Sequence, residues 1–553
     1  MVVRSRPLSN QPILVAIAWP YASGSRHIGH LAGAYLPGDI FASYQRLVGN
    51  RVLMVSGSDF HGTPITVRAD DEGVTPEELA TRYHDEFVSQ WDALGFSWDL
   101  YTKTSTANHH SVTQDVFTKL LENGYIERRT SEQLYDPEAG RFLPDRYVEG
   151  TCPHCGYTDA RGDQCENCGR TLDPVELIDP RSRFTGSTPE LRSTDHFFFL
   201  LSKFEQPLSD WLKSREGWRK HVVNFAVGAI EEGLPDRAIT RDLDWGVDIP
   251  VDDLGPGKKI YVWFDAVIGY LSASKEWSTI QGDEELWRTW WQNEDAEHYY
   301  FIGKDNVTFH SIFWPAMLMG YGGLNLPTDI PANQFVTFKG GKASSSRGVG
   351  MSISEALERF EPDALRYALA ANFPEMSDSD ISEEEMIRRV NDELVATWGN
   401  LVNRVWAMTG RYFEGIVPQP AELDADDQAV LDGVDATLLA AGTEIAEVRL
   451  KAALGTLMAG AQDVNTYLST LEPWKTAKVD MERTGTTLYV ALQGIAGLAV
   501  GLLPYLPFTS QQVLDAFGVA PSGYARPEVA TGHQLPPVKP LFTKMELPAA
   551  DGA

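Results

Sequence analysis

Three groups of side chains in this chain are spaced so that they could do chemistry. The first is His27-Ile28-Gly29-His30, two histidines three apart where a helical segment opens. Residues at that spacing share a helix face, and a helix N-terminus offers N–H groups and a positive dipole end to an anion. Gly29 leaves the backbone bare, so that a flat ring can lie against it. A nucleotide suits such a site; helix capping or a satisfied core position is the alternative for these residues alone. The second group is Cys152-Pro-His-Cys155 and Cys165-Glu-Asn-Cys168, which together hold all four cysteines of the chain, with nine residues between the two knuckles. That spacing suits tetrahedral thiolate ligation of one zinc ion, with disulfides as the alternative. Four thiolates close the coordination shell, so the zinc would be structural, and His154 would not be a ligand. The third is Asp59 in the polar loop Ser56-Gly-Ser-Asp-Phe-His-Gly-Thr-Pro64. It is a candidate partner for a cationic group, with loop capping as the other reading.

These groups need a scaffold. Ile13-Leu-Val-Ala-Ile-Ala18 and Val52-Leu-Met-Val55 are short, wholly apolar runs separated by a helix length, the pattern of parallel strands buried on both faces. With helical crossovers they predict a doubly wound α/β domain, the first turn and the Asp59 loop lying at one carboxyl edge. Thr75-Pro-Glu-Glu78 reads as a helix start, Thr75 capping and Glu78 reaching back. From about residue 123 the alternation stops, and an insert carrying the cysteines runs to about 237. Strand patterns are then expected at Ile260–Phe264 and Tyr299–Ile302, with Trp263, Tyr270, Phe309, His310, Phe313 and Trp314 clustering past their ends, either as core, the usual place of such aromatics, or as an apolar pocket, which their convergence on one edge suggests. Phe338-Lys-Gly-Gly-Lys-Ala-Ser-Ser-Ser-Arg-Gly348 is a hydroxyl-rich loop with three cations, a phosphate-binding type or a solvated linker. Beyond residue 375, apolar residues recur at three and four (Leu394, Trp398, Leu401, Val405, Met408), which predicts an α-helical bundle.

Composition bounds the possibilities. The 553 residues are 43% hydrophobic and 22% charged, as in ordinary globular proteins. A formal net charge of -30 excludes a generally basic nucleic-acid coat, so an RNA partner would be held by local patches, stacking and shape. Leu488–Phe508 is apolar, but Pro504 and Pro507 leave it short of the roughly 20 residues a membrane span needs, which predicts a buried bundle helix. No export signal is legible, so the expected compartment is the cytoplasm and no membrane partner is expected.

Taken together, these stretches resemble the class I aminoacyl-tRNA synthetases, and the methionyl-tRNA synthetase family over nearly the whole chain. His27 to His30 matches the first family signature unaltered, and Lys342-Ala-Ser-Ser-Ser346 stands where the second, Lys-Met-Ser-Lys-Ser, is expected. Ala18-Trp19-Pro20-Tyr21, Asp59 to Pro64, Tyr261-Val-Trp263-Phe-Asp265-Ala266 and Phe301-Ile-Gly-Lys-Asp305 also follow the methionine branch, as does the cysteine insert. The larger editing insert of the valine, isoleucine and leucine enzymes has no room here, and a cytidylyltransferase would lack both the knuckles and the bundle. A non-catalytic tRNA-binding descendant is the rival from another class, motivated by Ser345.

The resemblance implies a Rossmann-like catalytic domain in two halves (1–122 and 238–330), a connective insert (123–237), a signature-loop region (331–375) and an anticodon-binding bundle (376–553). It implies methionine activation by ATP and transfer to tRNA(Met), initiator included, with magnesium arriving on the ATP phosphates. His27, His30, Lys342 and Arg347 would be catalytic, and Gly29, Asp305, Ser344 and Ser345 would join His27, His30 and Lys342 around ATP. Ala18, Trp19, Tyr21, Asp59, Trp263, Ala266, Tyr270 and His310 would hold methionine, with Asp59 on its ammonium. Asn400, Arg404 and Trp474 would meet the anticodon. Ser345 replaces the family's later lysine and Ala343 its methionine; Lys339, Lys342 and Arg347 are expected to supply the missing charge, a slow activation step or a catalytically impaired relative being the alternatives. With no appended dimerisation domain read after Leu547, a monomer is expected.

Overall fold

The computed structural model describes residues 10–143, 147–162, 165, 167, 168, 170, 172–251, 254, 257–338, 341, 342 and 350–547. Its centre is a five-stranded parallel sheet. The strands are β1 (Pro12–Ile17), β2 (Arg51–Ser58), β3 (Leu100–Lys103), β4 (Glu297–Gly303) and β5 (Ala332–Asn333), in spatial order β5-β4-β1-β2-β3. β1 pairs in parallel with β2 on one side and β4 on the other, Val15 lying opposite both Met54 and Tyr299. The chain order reverses between β1 and β4, which in open α/β sheets is where the crevice for a ligand forms.

Alternation along β1 divides the core. Ile13, Val15 and Ile17 face a cluster continuous with the C-terminal helices, whereas Leu14, Ala16 and Ala18 face a second cluster built on helix Val262–Ile280. The anticipated parallel runs and the Thr75 capping box are present, Thr75 Oγ1 accepting from Glu78 N at 3.2 Å and Glu78 accepting from Thr75 N at 2.9 Å. The expected strand Ile260–Phe264 is not. Only Lys259–Ile260 is extended, and Val262 opens a 19-residue helix. A helix buried on nearly every side carries the same unbroken apolar run as a buried strand, and periodicity cannot tell them apart.

The first crossover helix is not uniform. Ile28–His30 is α-helical, Leu31–Tyr35 is a π turn, and Leu36–Leu47 is α-helical again. Pro37 has no N–H to give to the carbonyls one turn back. Asn333, at the end of β5, supplies the donor instead: its Nδ2 reaches Gly33 O at 2.9 Å. Arg219 in turn bonds the Asn333 amide oxygen and Ala332 O. A π turn held open in this way is typical of functional stretches of helix.

The insert is a long antiparallel pair, Ile126–Asp136 with Glu190–Phe199, beside a small sheet of Val148–Thr151, Ala160–Arg161 and Ile178–Ser182. At the other end, Asn400–Phe413, Ala425–Ala446, Leu450–Leu471 and Met481–Leu502 form the bundle. Met481–Leu502 is long and apolar enough to cross a membrane, and 94% of its apolar window is buried inside the protein. The bundle is tied to the sheet domain by Arg366, 1% exposed. It bonds Asp39 Oδ2 at 2.7 Å, Leu94 O at 3.1 Å, Pro504 O at 2.7 Å and Tyr505 O at 2.9 Å.

Candidate active site

The turn after β1 is held against the loop after β2 by backbone bonds: Asp59 N donates to Pro20 O at 2.8 Å and Ala22 N to Asp59 O at 2.9 Å. Trp19 lies between two glycines. A Cβ on Gly57 or Gly269 would come within 2.3 Å or 2.6 Å of its indole, so neither position admits a side chain. Arg26, 7% exposed, closes the turn by donating to Gly24 O and Tyr21 O, its guanidinium 5.3 Å from the Phe87 ring centre.

His27 is the N-cap of the helix, not its first turn. Its Nδ1 accepts from Gly29 N at 3.1 Å, and His30 Nδ1 accepts from His27 N at 3.3 Å. The rings are 3.8 Å apart. A Cβ at position 29 would meet the His27 ring at 2.8 Å, so the glycine is needed for this cap. Burial, and then the neighbouring Arg26 charge, pushes His27 down to about 4; burial, His27 and Arg26 drive His30 well below the usual histidine range. Both rings are therefore neutral at physiological pH. With Nδ1 accepting in each, the ring proton sits on Nε2. Two neutral Nε2–H donors thus stand together at a helix start at the switch point of the sheet.

The polypeptide leaving the second signature loop is sewn to the first signature. Ile28 N donates to Met351 O at 3.0 Å and Ile353 N to Arg26 O at 2.9 Å, with Ser352 bridged to His27. On the entering side Gly341–Lys342 pairs with Val336–Phe338, Lys342 opposite Thr337. Lys339, Ala343, Ser344, Ser345 and Arg347 lie outside the described residues. Asp305 is exposed, in the single turn Lys304–Asn306 after β4.

Of the amino-acid candidates, Tyr21 is bridged to Asp59, and Trp19 reaches Tyr270, which bonds His310. Ala18, Trp19, Tyr21 and Asp59 come from the β1 and β2 ends. Trp263, Ala266 and Tyr270 lie on helix Val262–Ile280 and His310 on the π turn Phe309–Phe313. Trp19 lies edge-on to Tyr270 with ring centres 6.5 Å apart. His310 Nδ1–H donates to Asn306 O at 2.9 Å, so its Nε2 accepts from Tyr270 Oη at 2.7 Å. Burial holds His310 down to about 4, keeping it neutral. Tyr270 and His310 are 1% and 4% exposed, while Trp19, Tyr21, Trp263 and Ala266 are only half-buried.

Asp59 is 2% exposed and accepts from His61 N at 3.0 Å through Oδ1, so it does cap its loop. Burial, and then the negative charge of Asp265, lifts its carboxyl to about 7 against the pull of His61 and Thr104. A carboxyl held that far above its ordinary range would gain from a cation beside it. The cluster behind it was not assigned a role from sequence: Asp265 Oδ2 bonds His61 Nδ1 at 2.6 Å, and Oδ1 bonds His109 Nε2. Asp265 and His61 sit in recognisable motifs, but nothing marks His109, which is brought in by a distant helix. Arg26 carried no signal either.

In the insert, Cys155 and Cys165 Sγ are 3.6 Å apart and Cys152 and Cys168 Sγ 3.9 Å, all four within 4.8 Å of one another. Disulfide sulfurs sit at about 2.05 Å, whereas four thiolates at about 2.3 Å around a tetrahedral zinc stand about 3.8 Å apart. The cluster fits a metal ion. His154 lies beside Arg170, Nδ1 3.4 Å from its guanidinium. In the bundle, Asn400 and Arg404 lie four apart on helix Asn400–Phe413, with Arg404 5.1 Å from the centre of the half-buried Trp474 ring.

A parallel sheet with paired histidines at the helix start by its switch point, buried carboxylates beside them and a C-terminal helical bundle form the arrangement that the resemblance to class I tRNA synthetases implies. Residues 13–406 match the family described as tRNA synthetases class I (M), and residues 417–547 the anticodon binding domain of methionyl tRNA ligase. The chain belongs to the methionyl-tRNA ligase family of class I tRNA synthetases. It is 51% identical over 525 residues to the methionine–tRNA ligase of Roseiflexus castenholzii, covering 94% of this chain and 88% of that one. It is 48% identical over 541 residues to that of Dehalococcoides mccartyi, covering 97% and 98%. Its structure is similar to that of Mycobacterium tuberculosis methionyl-tRNA synthetase bound by methionyl-adenylate, with TM-score 0.80, 26% identity, and 97% and 100% of the two chains covered. The activity is ATP-dependent ligation of methionine to tRNA.

Proposed function

We propose the following division of labour for that activity. The observation that carries it is the pair of neutral Nε2–H donors at the helix start, on the same post-β1 segment whose Pro20 and Ala22 bond the backbone of the buried, cation-seeking Asp59. The ATP phosphates lie against His27 and His30, with Gly29, Asp305, Lys342, Ser344 and Ser345 around the nucleotide. Methionine puts its ammonium on Asp59 and its thioether between the walls Ala18, Trp19, Tyr21, Trp263 and Ala266, over the Tyr270–His310 floor. Sulfur packs well against aromatic edges, and the unbranched chain adapts to such a slot. A methionine carboxylate oxygen bonds to the α-phosphorus, and the bond to the β-phosphate breaks. Negative charge develops on the phosphates, where the histidine donors act by preorganised electrostatic stabilisation. Lys339, Lys342 and Arg347 take over from the lysine that Ser345 replaces. Magnesium arrives with ATP and neutralises phosphate charge.

We assign the sheet domain to 1–122 and 238–330, the insert to 123–237, the signature-loop region to 331–375 and the anticodon bundle to 376–553. The metal is zinc and structural. The knob core, around Leu143, Val148, Leu172 and Leu177, is small. A core of that size supplies no more than about 3–5 kcal/mol, and structural zinc apparently about 10–16 kcal/mol. Metal therefore dominates the stability of the knob. Cys152→Ser with Cys165→Ser is expected to abolish the single zinc per chain in elemental analysis and to open residues 148–182 to limited proteolysis.

Trp474, with Arg404 over its face, is the stacking platform for an anticodon base, and Asn400 a hydrogen-bonding neighbour. Stacking on tryptophan contributes about 1–3 kcal/mol per base, which compensates for the acidic composition. Trp474→Ala is expected to lower kcat/KM for tRNA(Met) by about 10- to 100-fold. Methionine-dependent exchange of pyrophosphate into ATP should be unchanged; a parallel fall in exchange would place Trp474 in the fold rather than the interface. The enzyme takes the initiator tRNA as a substrate along with elongator tRNA(Met), acts as a monomer and works in the cytoplasm.

A further inference from the structure

The Asp265 carboxylate is fully buried, yet it joins three elements. It lies on helix Val262–Ile280 between Trp263 and Ala266. One oxygen accepts a hydrogen bond from His61 Nδ1, from the loop after β2, at 2.6 Å, and the other bonds His109 Nε2 from helix Ala107–Glu122. Both imidazoles are at most 2% exposed. His109 Nδ1 is 2.7 Å from Ser272 Oγ, which donates to Gly269 O at 3.0 Å, back on the first helix. These atoms could be taken for a metal site. A bound ion about 2 Å from each ligand would hold imidazole nitrogen and carboxylate oxygen about 3 Å apart or more, and 2.6 Å is a hydrogen bond. The cluster is a His–carboxylate–His brace.

What the brace holds is Asp59. The His61 side chain is fixed by Asp265, and the His61 backbone N–H is the donor on Asp59 Oδ1 at 3.0 Å. A side-chain carboxylate orients well only when its own partner is immobile. We propose that Asp265 is a positioning residue for methionine recognition, acting through His61 to aim the Asp59 carboxylate at the substrate ammonium. The inference rests on the assignment of Asp59 to that ammonium.

Pyrophosphate exchange with methionine and ATP varied separately tests it. Asp265→Asn keeps the size and loses the double acceptor. Measured at pH 8.5, where Asp59 is ionised with or without the Asp265 charge, it is expected to raise KM for methionine at least tenfold, with KM for ATP within twofold and the active fraction normalised by active-site titration. The double variant Asp59→Asn/Asp265→Asn should lose no more than Asp59→Asn alone, because both changes remove one interaction. His61→Asn places an amide N–H where Nδ1 stands and should retain most of the affinity, whereas His61→Phe should behave as Asp265→Asn does. If Asp265→Asn does not fold, the His61 pair decides the matter. Equal losses for methionine and ATP, additive losses in the double variant, or indistinguishable His61→Asn and His61→Phe would overturn the positioning role. An Asp59→Asn variant with unchanged methionine KM would instead overturn the ammonium assignment itself.

Discussion

Asp59→Asn should raise KM for methionine by more than about 100-fold, because removing one partner of a buried charge pair costs about 3–5 kcal/mol. KM for ATP should stay near its original value. The same group sets a pH dependence whose sign follows from its environment. In the free protein the Asp59 carboxyl is lifted to about 7 by burial and by Asp265, with His61 and Thr104 pulling the other way. Only the ionised form attracts an ammonium. Below about pH 7 the ionised fraction falls tenfold per unit, so kcat/KM for methionine should rise with pH, with a slope near one, and flatten above 7. Methionine-dependent exchange across pH 5.5–8.5 measures it. The low-pH limb should vanish in Asp59→Asn; a limb that persists would belong to another group.

His27→Ala and His30→Ala should each slow activation by about 10- to 100-fold, the worth of one hydrogen bond to a charged group at about 1.5–3 kcal/mol. Methionine affinity should change little. The two positions differ in a way that thermal unfolding resolves, since His27 is also the helix cap. An N-cap loss costs about 1 kcal/mol, so His27→Ala should lower Tm where His27→Asn, whose amide oxygen can still accept from Gly29 N, should not. Both variants should lose the rate equally. Because both imidazoles are held neutral, neither should add a break to the pH–rate profile above about pH 5.5. A rate loss confined to methionine KM would sink this assignment.

The parallel sheet was readable because strands buried on both faces leave no alternation, only short apolar runs with turn residues between them. The same property hid helix Val262–Ile280, whose buried surface extends round its whole circumference and whose first residues therefore read as a strand. Local chemistry was legible where one short segment encodes it: the Thr75 capping box, the paired knuckles, the two histidines. It was illegible where a partner arrives from far along the chain. Asp265 meets His61 across 204 positions and His109 across 156, and Arg26 matters through carbonyls that any loop possesses. The role of His27 as cap turns on a single backbone dihedral, which the four-residue signature does not reveal.

Asp39 stands nine residues beyond His30, on the helical rod that begins at the first signature and runs through the π turn to Leu47. Arg366 grips that rod and, with the same guanidinium, the carbonyls of Pro504 and Tyr505 where the long bundle helix ends. Sliding or rolling the rod would strip a buried cation of its acceptors, so this point is stiff. One buried guanidinium thus couples the end of the bundle helix to the rod that carries the two histidines.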